Sequence, residues 1–257
     1  MLPTLLDNPL IVNNLFYPRA DSPGSSQPNV SDGSIPVADG VALGYRLYRH
    51  AHAAPVILYF HGNGEIASDY DNLAPEFLRA GASLLVVDYR GYGWSGGKPL
   101  VSTLLTDAEK VVPALPGLLG RADAPLFVMG RSLGSAPAVH LAAAQPAAIK
   151  GLIIESGFAH EPSLFRRLQI PDALLQAVPS VFGNEGKMAN IHLPLLVIHG
   201  QRDTLIPPEN GQALYDASPS AHKTIVTIPG AGHNDLLYYG MERYFAALTA
   251  FVREFAG

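Results

Sequence analysis

The 257-residue chain contains no cysteine. Disulfide staples, a cysteine-ligated zinc site and S-acylation of the chain itself are thereby excluded, and the absence fits a reducing compartment. Charge is sparse as well, with 15% charged against 48% hydrophobic residues. That balance excludes a disordered chain and supplies a sizeable core. The 17 basic residues form no run and the formal net charge is -5, so nucleic acid is not an expected partner. Nowhere does an uninterrupted apolar stretch reach the roughly 18 residues that a membrane-spanning helix needs. Residues 1–17 carry Pro3, Asp7, Asn8 and Pro9 and lack a basic start before a clean apolar run, so they do not read as a signal peptide. Residue 2 is leucine rather than the glycine that myristoylation requires. These absences together lead us to expect a cytoplasmic chain.

What is present is a rhythm. Residues 18–36 are rich in Ser, Pro, Gly, Asn and Asp and read as an irregular lead-in. Asp39-Gly40 reads as a hairpin turn into 41–48, where Val41, Leu43, Tyr45 and Leu47 alternate. Short continuous apolar runs follow at 55–60, 83–88, 125–130, 149–155, 194–200 and 223–228. Such runs suit strands buried on both faces. Between and after them, residues 70–80, 106–119, 133–145, 209–217 and 235–255 have helix length and helical spacing. The alternation predicts an α/β fold: a doubly wound, mostly parallel sheet of about eight strands with its site at the carboxyl ends of the strands. One interval, about 157–192, is too long for a tight connection. It holds helical material at 163–168 and 172–178 and reads as a short helical cap inserted into a single domain.

The strongest chemical signal is Gly130-Arg131-Ser132-Leu133-Gly134, set between an apolar strand and an Ala-rich helix. A serine on so sharp a turn needs small neighbours, and the turn lifts its hydroxyl clear of the sheet at a helix N-terminus. Ser132 is therefore the candidate nucleophile. His61-Gly62-Asn63-Gly64 follows the first parallel strand directly. Acyl transfer develops an oxyanion that preorganised amides stabilise, and the expected donors are the backbone N–H groups of Asn63 and Leu133. His61 reads as a structural hydrogen-bonding residue rather than as a base.

A serine hydroxyl needs a positioned base, and chain order in this architecture runs nucleophile, acid, histidine. His233, in the Gly-rich loop 229–234 after the last strand, is the expected base, and Asp203, after the penultimate strand, is the expected acid. Glu155 at the end of an earlier strand is the alternative acid. Asp88 reads as a loop-organising residue, Asp235 as a cap of the last helix and His199 as a strand-packing residue. Tyr92 and Trp94 on the loop after a strand, with Phe158 and Phe165 in the cap interval, are the candidate walls of a substrate pocket. The apolar character of the cap, with Leu164, Leu168, Leu174, Leu175, Val178 and Phe182, favours an acyl or aryl group over a sugar.

Taken together, His61-Gly62-Asn63-Gly64, Asp88-Tyr89-Arg90-Gly91-Tyr92-Gly93, Gly130-Arg131-Ser132-Leu133-Gly134-Ser135, Gly200-Gln201-Arg202-Asp203 and Gly230-Ala231-Gly232-His233-Asn234 resemble the Bem46-like branch of the serine α/β-hydrolases. That branch includes the α/β-hydrolase-domain-containing proteins of types 13 and 17. The resemblance runs from about Tyr17 to the end. It implies an α/β-hydrolase fold, Asp203 and His233 as acid and base, and an esterase, thioesterase or depalmitoylase-like activity. The N-terminal cysteine cluster or hydrophobic anchor of membrane-targeted relatives is not found here.

The expected function is hydrolysis of carboxylic esters of small to medium acyl groups through an acyl-enzyme. A thioesterase uses the same machinery and is the alternative. A peptidase would need an anchor for the peptide terminus, and a non-catalytic ligand-binding protein on this scaffold would not need the three intact residues. No metal or organic cofactor is implied, and the expected partner is a small-molecule ester or thioester.

Overall fold

A computed structural model of the protein describes residues 7–51, 53–160 and 182–257. Its centre is an eight-stranded sheet: β1 (Val30–Ala38), β2 (Val41–Tyr48), β3 (Val56–Phe60), β4 (Ser83–Val87), β5 (Leu126–Arg131), β6 (Gly151–Glu155), β7 (Leu195–Gly200) and β8 (Lys223–Ile228). The spatial order is β1-β2-β4-β3-β5-β6-β7-β8. β1 pairs β2 and β2 pairs β4 antiparallel, and every later pairing is parallel. Among the described residues the α-helices are α1 (Pro9–Leu15), α2 (Ala74–Arg79), α3 (Val101–Leu119), α4 (Ser135–Ala144), α5 (Asn184–Met188), α6 (Glu209–Ala217) and α7 (Leu236–Phe255).

The continuous apolar runs have a direct cause. Successive strand residues point to opposite faces, and both faces of this sheet are covered. Val56, Leu58 and Phe60 of β3 enter one core cluster, with residues of α1, α3, α4, α5 and α6. Ile57 and Tyr59 enter the other, with Phe77 of α2 and Tyr244, Leu248 and Phe251 of α7. Every residue of β3, β4, β6 and β7 is buried. β8 lies at the edge opposite β1 and is only partly covered.

Three expectations need correction. The lead-in is not irregular to residue 36, because β1 begins at Val30. It reads as loop because it carries Gly33 and Pro36, which an edge strand tolerates where a central strand would not. Its register shifts between Pro36 and Ala38. Helix α3 starts at Val101, not 106, its first turn held by Asp7, which accepts from the Ser102 amide at 3.0 Å and from its hydroxyl at 2.5 Å. The segment at 70–80 splits into a 3-10 turn, Ala67–Tyr70, and α2.

Of the cap interval, the two ends are described. Phe158 is buried at the end of the β6 connection, and the Asn184 side chain on α5 donates to the Phe158 carbonyl at 2.9 Å. The helical stretches 163–168 and 172–178, with Leu164, Phe165, Leu168, Leu174, Leu175 and Val178, lie outside the described residues. Among the described residues no helix is long and apolar enough to cross a membrane.

Candidate active site

The carboxyl ends of β5, β7 and β8 bring the three expected residues together. β5 ends in Arg131, and Ser132 follows in the left-handed region at φ 51°. A non-glycine residue held there is strained, and two glycines make room for it. A Cβ on Gly130 would lie 2.1 Å from the Gly134 carbonyl oxygen, and one on Gly134 would lie 2.0 Å from that of Phe60. The elbow thus packs backbone against backbone. Gly134→Ala is expected to cost about 3 kcal/mol, at the upper end for overpacking, because no side chain can move aside. A thermal melt of that variant at the wild-type temperature would contradict this.

The serine hydroxyl lies 2.9 Å from His233 Nε2, and His233 Nδ1 lies 2.7 Å from Asp203 Oδ2. All three residues are buried, Ser132 at 8%, Asp203 at 3% and His233 at 9% exposure. Burial alone pushes the Asp203 carboxyl up, but hydrogen bonds from His199 and His233 and from the Ile206 amide outweigh it and hold the group well below the usual carboxylate range. Asp203 is therefore an anion that accepts from Nδ1–H of His233. The imidazole then presents a lone pair at Nε2 to the serine hydroxyl. Because the folded pKa is depressed, the stability this carboxylate contributes is complete at neutral pH. It is lost only as pH falls below the ordinary carboxylate range toward the folded value.

His199 is more than a strand-packing residue. Its Nε2 donates to the Ile206 carbonyl at 2.8 Å and lies 3.4 Å from Asp203 Oδ2. The other oxygen, Oδ1, accepts from the amides of Leu205 at 2.9 Å and Ile206 at 2.8 Å. Glu155, the alternative acid, is engaged elsewhere: it accepts from the Tyr244 hydroxyl at 2.7 Å and from Arg131 Nε at 3.1 Å. Asp235 precedes α7, but its carboxylate bonds back to the Gly232 amide at 2.6 Å instead of capping the helix.

The loop 61–65 lies beside the elbow. His61 is fully buried, with Nε2 3.2 Å from Asp88 Oδ1, and that oxygen accepts from the Ala67 amide at 2.9 Å. The Asn63 side chain fastens the N-terminal segment: its Nδ2 donates to the Leu15 carbonyl at 2.7 Å, and its Oδ1 accepts from the Tyr17 amide at 2.9 Å and the Tyr92 hydroxyl at 2.8 Å. The side chain of Asn63 is thereby committed to the N-terminal segment and the Tyr92 hydroxyl. Leu133 stands in the first turn of a helical segment, where an N–H has no intrahelical acceptor.

The pocket walls need revision. Tyr92 has no exposed surface and its ring lies tilted, 5.5 Å from the His61 ring, its hydroxyl occupied by Asn63 and Tyr17. A buried phenol must find such partners. Trp94 donates to the Gly33 carbonyl at 2.9 Å and lies 5.5 Å from the Arg46 guanidinium, on the β1–β2 side of the sheet. Both side chains are thus held in packing of the loop against the N-terminal segment and the sheet. Phe158 is buried against Phe182 at 5.6 Å between ring centroids, and Phe165 lies outside the described residues.

Sequence reading missed Arg131, which occupies the variable position of the serine motif. Its Nε donates to Glu155, its Nη1 to Glu65, and its Nη2 to the His233 carbonyl at 2.9 Å and Asn234 Oδ1 at 2.8 Å. Burial disfavours the charge, but Glu65 and Glu155 outweigh this and keep the guanidinium protonated. A charge straight after five buried strand residues was a usable signal, since it demands buried partners.

The chain matches the family model described as serine aminopeptidase S33 over residues 51–184 and 167–237. It is 34% identical over 233 residues to an uncharacterised protein of Mycobacterium tuberculosis, covering 86% of this chain and 79% of that one. It is 31% identical over 207 residues to human α/β hydrolase domain-containing protein 17B, covering 79% and 68% of the two chains. Among solved structures it is similar to the Pyrococcus furiosus esterase Pf2001, with a TM-score of 0.75, 21% identity and coverage of 93% and 99%. It is likewise similar to Est1E of Butyrivibrio proteoclasticus with ferulic acid bound, with a TM-score of 0.71, 22% identity and coverage of 87% and 98%. The parallel sheet, the strained strand-to-helix turn and these matches agree, and the chain belongs to the α/β-hydrolase family, on the branch of the type 17 domain-containing hydrolases.

Proposed function

We propose that the protein hydrolyses carboxylic esters of small to medium acyl groups through an acyl-enzyme on Ser132. The observation that carries this reading is the unbroken chain from Ser132 Oγ to His233 Nε2 at 2.9 Å and from His233 Nδ1 to Asp203 at 2.7 Å. In the first half-reaction Oγ attacks the carbonyl carbon while Nε2 takes its proton. The oxyanion forms against the Leu133 and Asn63 amides, worth about 2.7–4 kcal/mol of barrier each. Collapse expels the alcohol, which leaves with the proton from Nε2. In the second half, water loses its proton to the same nitrogen, attacks the acyl carbon and releases the acid, returning Oγ–H. Asp203 holds the imidazole in register and balances its charge.

The interval 157–192 is read as a cap over this edge in a single domain, and its apolar composition suits an acyl or aryl group. Among the solved structures with this fold are an esterase and a protein holding ferulic acid, an aryl acid. Thioester hydrolysis would use the same steps with sulfur as the leaving atom. The family description names an aminopeptidase. A free amino terminus would call for a carboxylate, and among the described residues Glu65 and Glu155 pair with Arg131, and Asp69 with Arg19. The ester reading is therefore preferred.

The test is a series of p-nitrophenyl esters from acetate to palmitate, together with labelling by a fluorophosphonate. Turnover should peak at a short or medium chain, with the label on Ser132. Labelling without turnover of any ester would remove the ester reading and leave the nucleophile. An unlabelled Ser132 would remove both.

A further inference from the structure

We propose that Arg131 is a positioning residue that clamps three loops of the site into one unit, an inference that rests on the serine-hydrolase reading above. Arg131 directly precedes the nucleophile. One edge of its guanidinium donates to the carbonyl of His233 itself at 2.9 Å and to the neighbouring Asn234 side chain at 2.8 Å. Nη1 donates to Glu65, whose other oxygen accepts from the Gly62 amide at 2.7 Å and the Tyr70 hydroxyl at 2.7 Å. Nε donates to Glu155 at 3.1 Å, at the neighbouring end of β6, and Glu155 is held in turn by Tyr244 of α7.

One planar cation therefore touches the elbow, the loop of Asn63 and the loop of His233. The fit is close: a Cβ on Gly62 would lie 2.4 Å from Nη1. Only a fork of fixed geometry spans these directions at once, and an ammonium on a flexible stem does not. The loop of His233 reaches the serine across 101 residues of chain. The carbonyl bond from Arg131 locates the backbone from which the imidazole projects.

Misplacing a reacting group by about 1 Å costs on the order of 100-fold. Loss of the clamp should therefore lower kcat and leave KM nearly alone, because the described partners of Arg131 are Glu65, Glu155, the His233 carbonyl and Asn234. A cleft of about 310 Å³ beside Arg131, lined also by Glu65, Glu155, His233 and Asn234, admits a small ion from solvent.

The experiment measures kcat and KM on a p-nitrophenyl ester for Arg131→Ala and Arg131→Lys, with thermal melts to establish folding, and adds guanidinium chloride or methylammonium chloride at tens of millimolar. Arg131→Ala is expected to lose about 100-fold in kcat. Guanidinium, but not methylammonium, should restore at least about tenfold of it, because only the former reproduces the fork. Arg131→Lys should stay low. A folded Arg131→Lys or Arg131→Ala within about threefold of wild type in kcat, or a loss that guanidinium leaves untouched, would overturn the proposal. Should the Arg131 variants not fold, Asn234→Ala on the exposed side decides: a drop in kcat of about fivefold at unchanged KM and melting temperature supports the clamp, and unchanged kcat overturns it. Fluorophosphonate labelling of the wild type separates the two readings. A labelled Ser132 with indifferent variants sinks the clamp alone, whereas an unlabelled Ser132 sinks the parent reading and the clamp with it.

Discussion

Ser132→Ala is expected to lower kcat on an ester by about 10⁶-fold while leaving the fold intact. The magnitude follows from the geometry. In the proposed mechanism the hydroxyl is the sole group of the three that forms and breaks the covalent bond, with its 2.9 Å contact to His233 Nε2 as the path of its proton. Without it the amides and the imidazole can still polarise a bound ester and a water, so a residual rate of about 10³–10⁴ over water should remain. The elbow supplies a control for the structural side. At φ 51° any residue with a Cβ is strained, so Ser132→Gly should melt higher than Ser132→Ala by the equivalent of about 1 kcal/mol, with both equally inactive. Equal melting temperatures would contradict the strain. Substantial turnover by either variant would remove the acyl-enzyme mechanism.

Where the sequence was readable, burial on both faces made it so. β3, β4, β6 and β7 stand out as unbroken apolar runs because two separate cores claim their alternate residues. Ser132, Asp203 and His233 follow β5, β7 and β8, and it is chain order that sets them apart from His61, Asp88 and Glu155 at the ends of β3, β4 and β6. β1 was lost for the opposite reason: an edge strand has one neighbour, so Gly33 and Pro36 do it little harm and the segment looks like a loop. Helix α1 carried a signal that went unread, since Asn8 caps it through the Leu10 amide at 2.9 Å and Pro9 occupies its first position. The roles of Tyr92, Trp94 and Arg131 were out of reach because they depend on pairings across the sheet. Tyr92 meets Tyr17, Trp94 meets Gly33, and Arg131 meets Glu155 only through the register of β5 on β6. His199 was legible as a buried strand residue, but its approach to Asp203 requires the turn that returns Ile206 to the strand end.

That turn also sets the second large effect. Asp203→Asn changes one atom in a carboxylate whose four neighbours are known. Oδ1 accepts from two amides, Leu205 at 2.9 Å and Ile206 at 2.8 Å. An asparagine must keep its carbonyl oxygen there, because an amide nitrogen would face two donors. The NH₂ group is then forced to the position of Oδ2, 2.7 Å from His233 Nδ1 and 3.4 Å from His199 Nε2. His233 must accept at Nδ1, so its proton moves to Nε2, where it points at Ser132 and cannot receive the serine's proton. The expected loss in kcat is about 10⁴-fold, from the wrong tautomer and not from lost shape. His199 Nε2–H, which donates to the Ile206 carbonyl at 2.8 Å, meets the new NH₂ as a second donor, so the melting temperature should fall as well. The signature is in the pH dependence. With the base unable to take the proton, the residual rate of Asp203→Asn should rise tenfold per pH unit with hydroxide above neutrality, unlike the wild-type profile measured beside it. A residual rate that follows the wild-type profile, or a loss of less than about tenfold, would mean that Asp203 does not set the tautomer of His233 and that the acid must be sought elsewhere along the sheet edge.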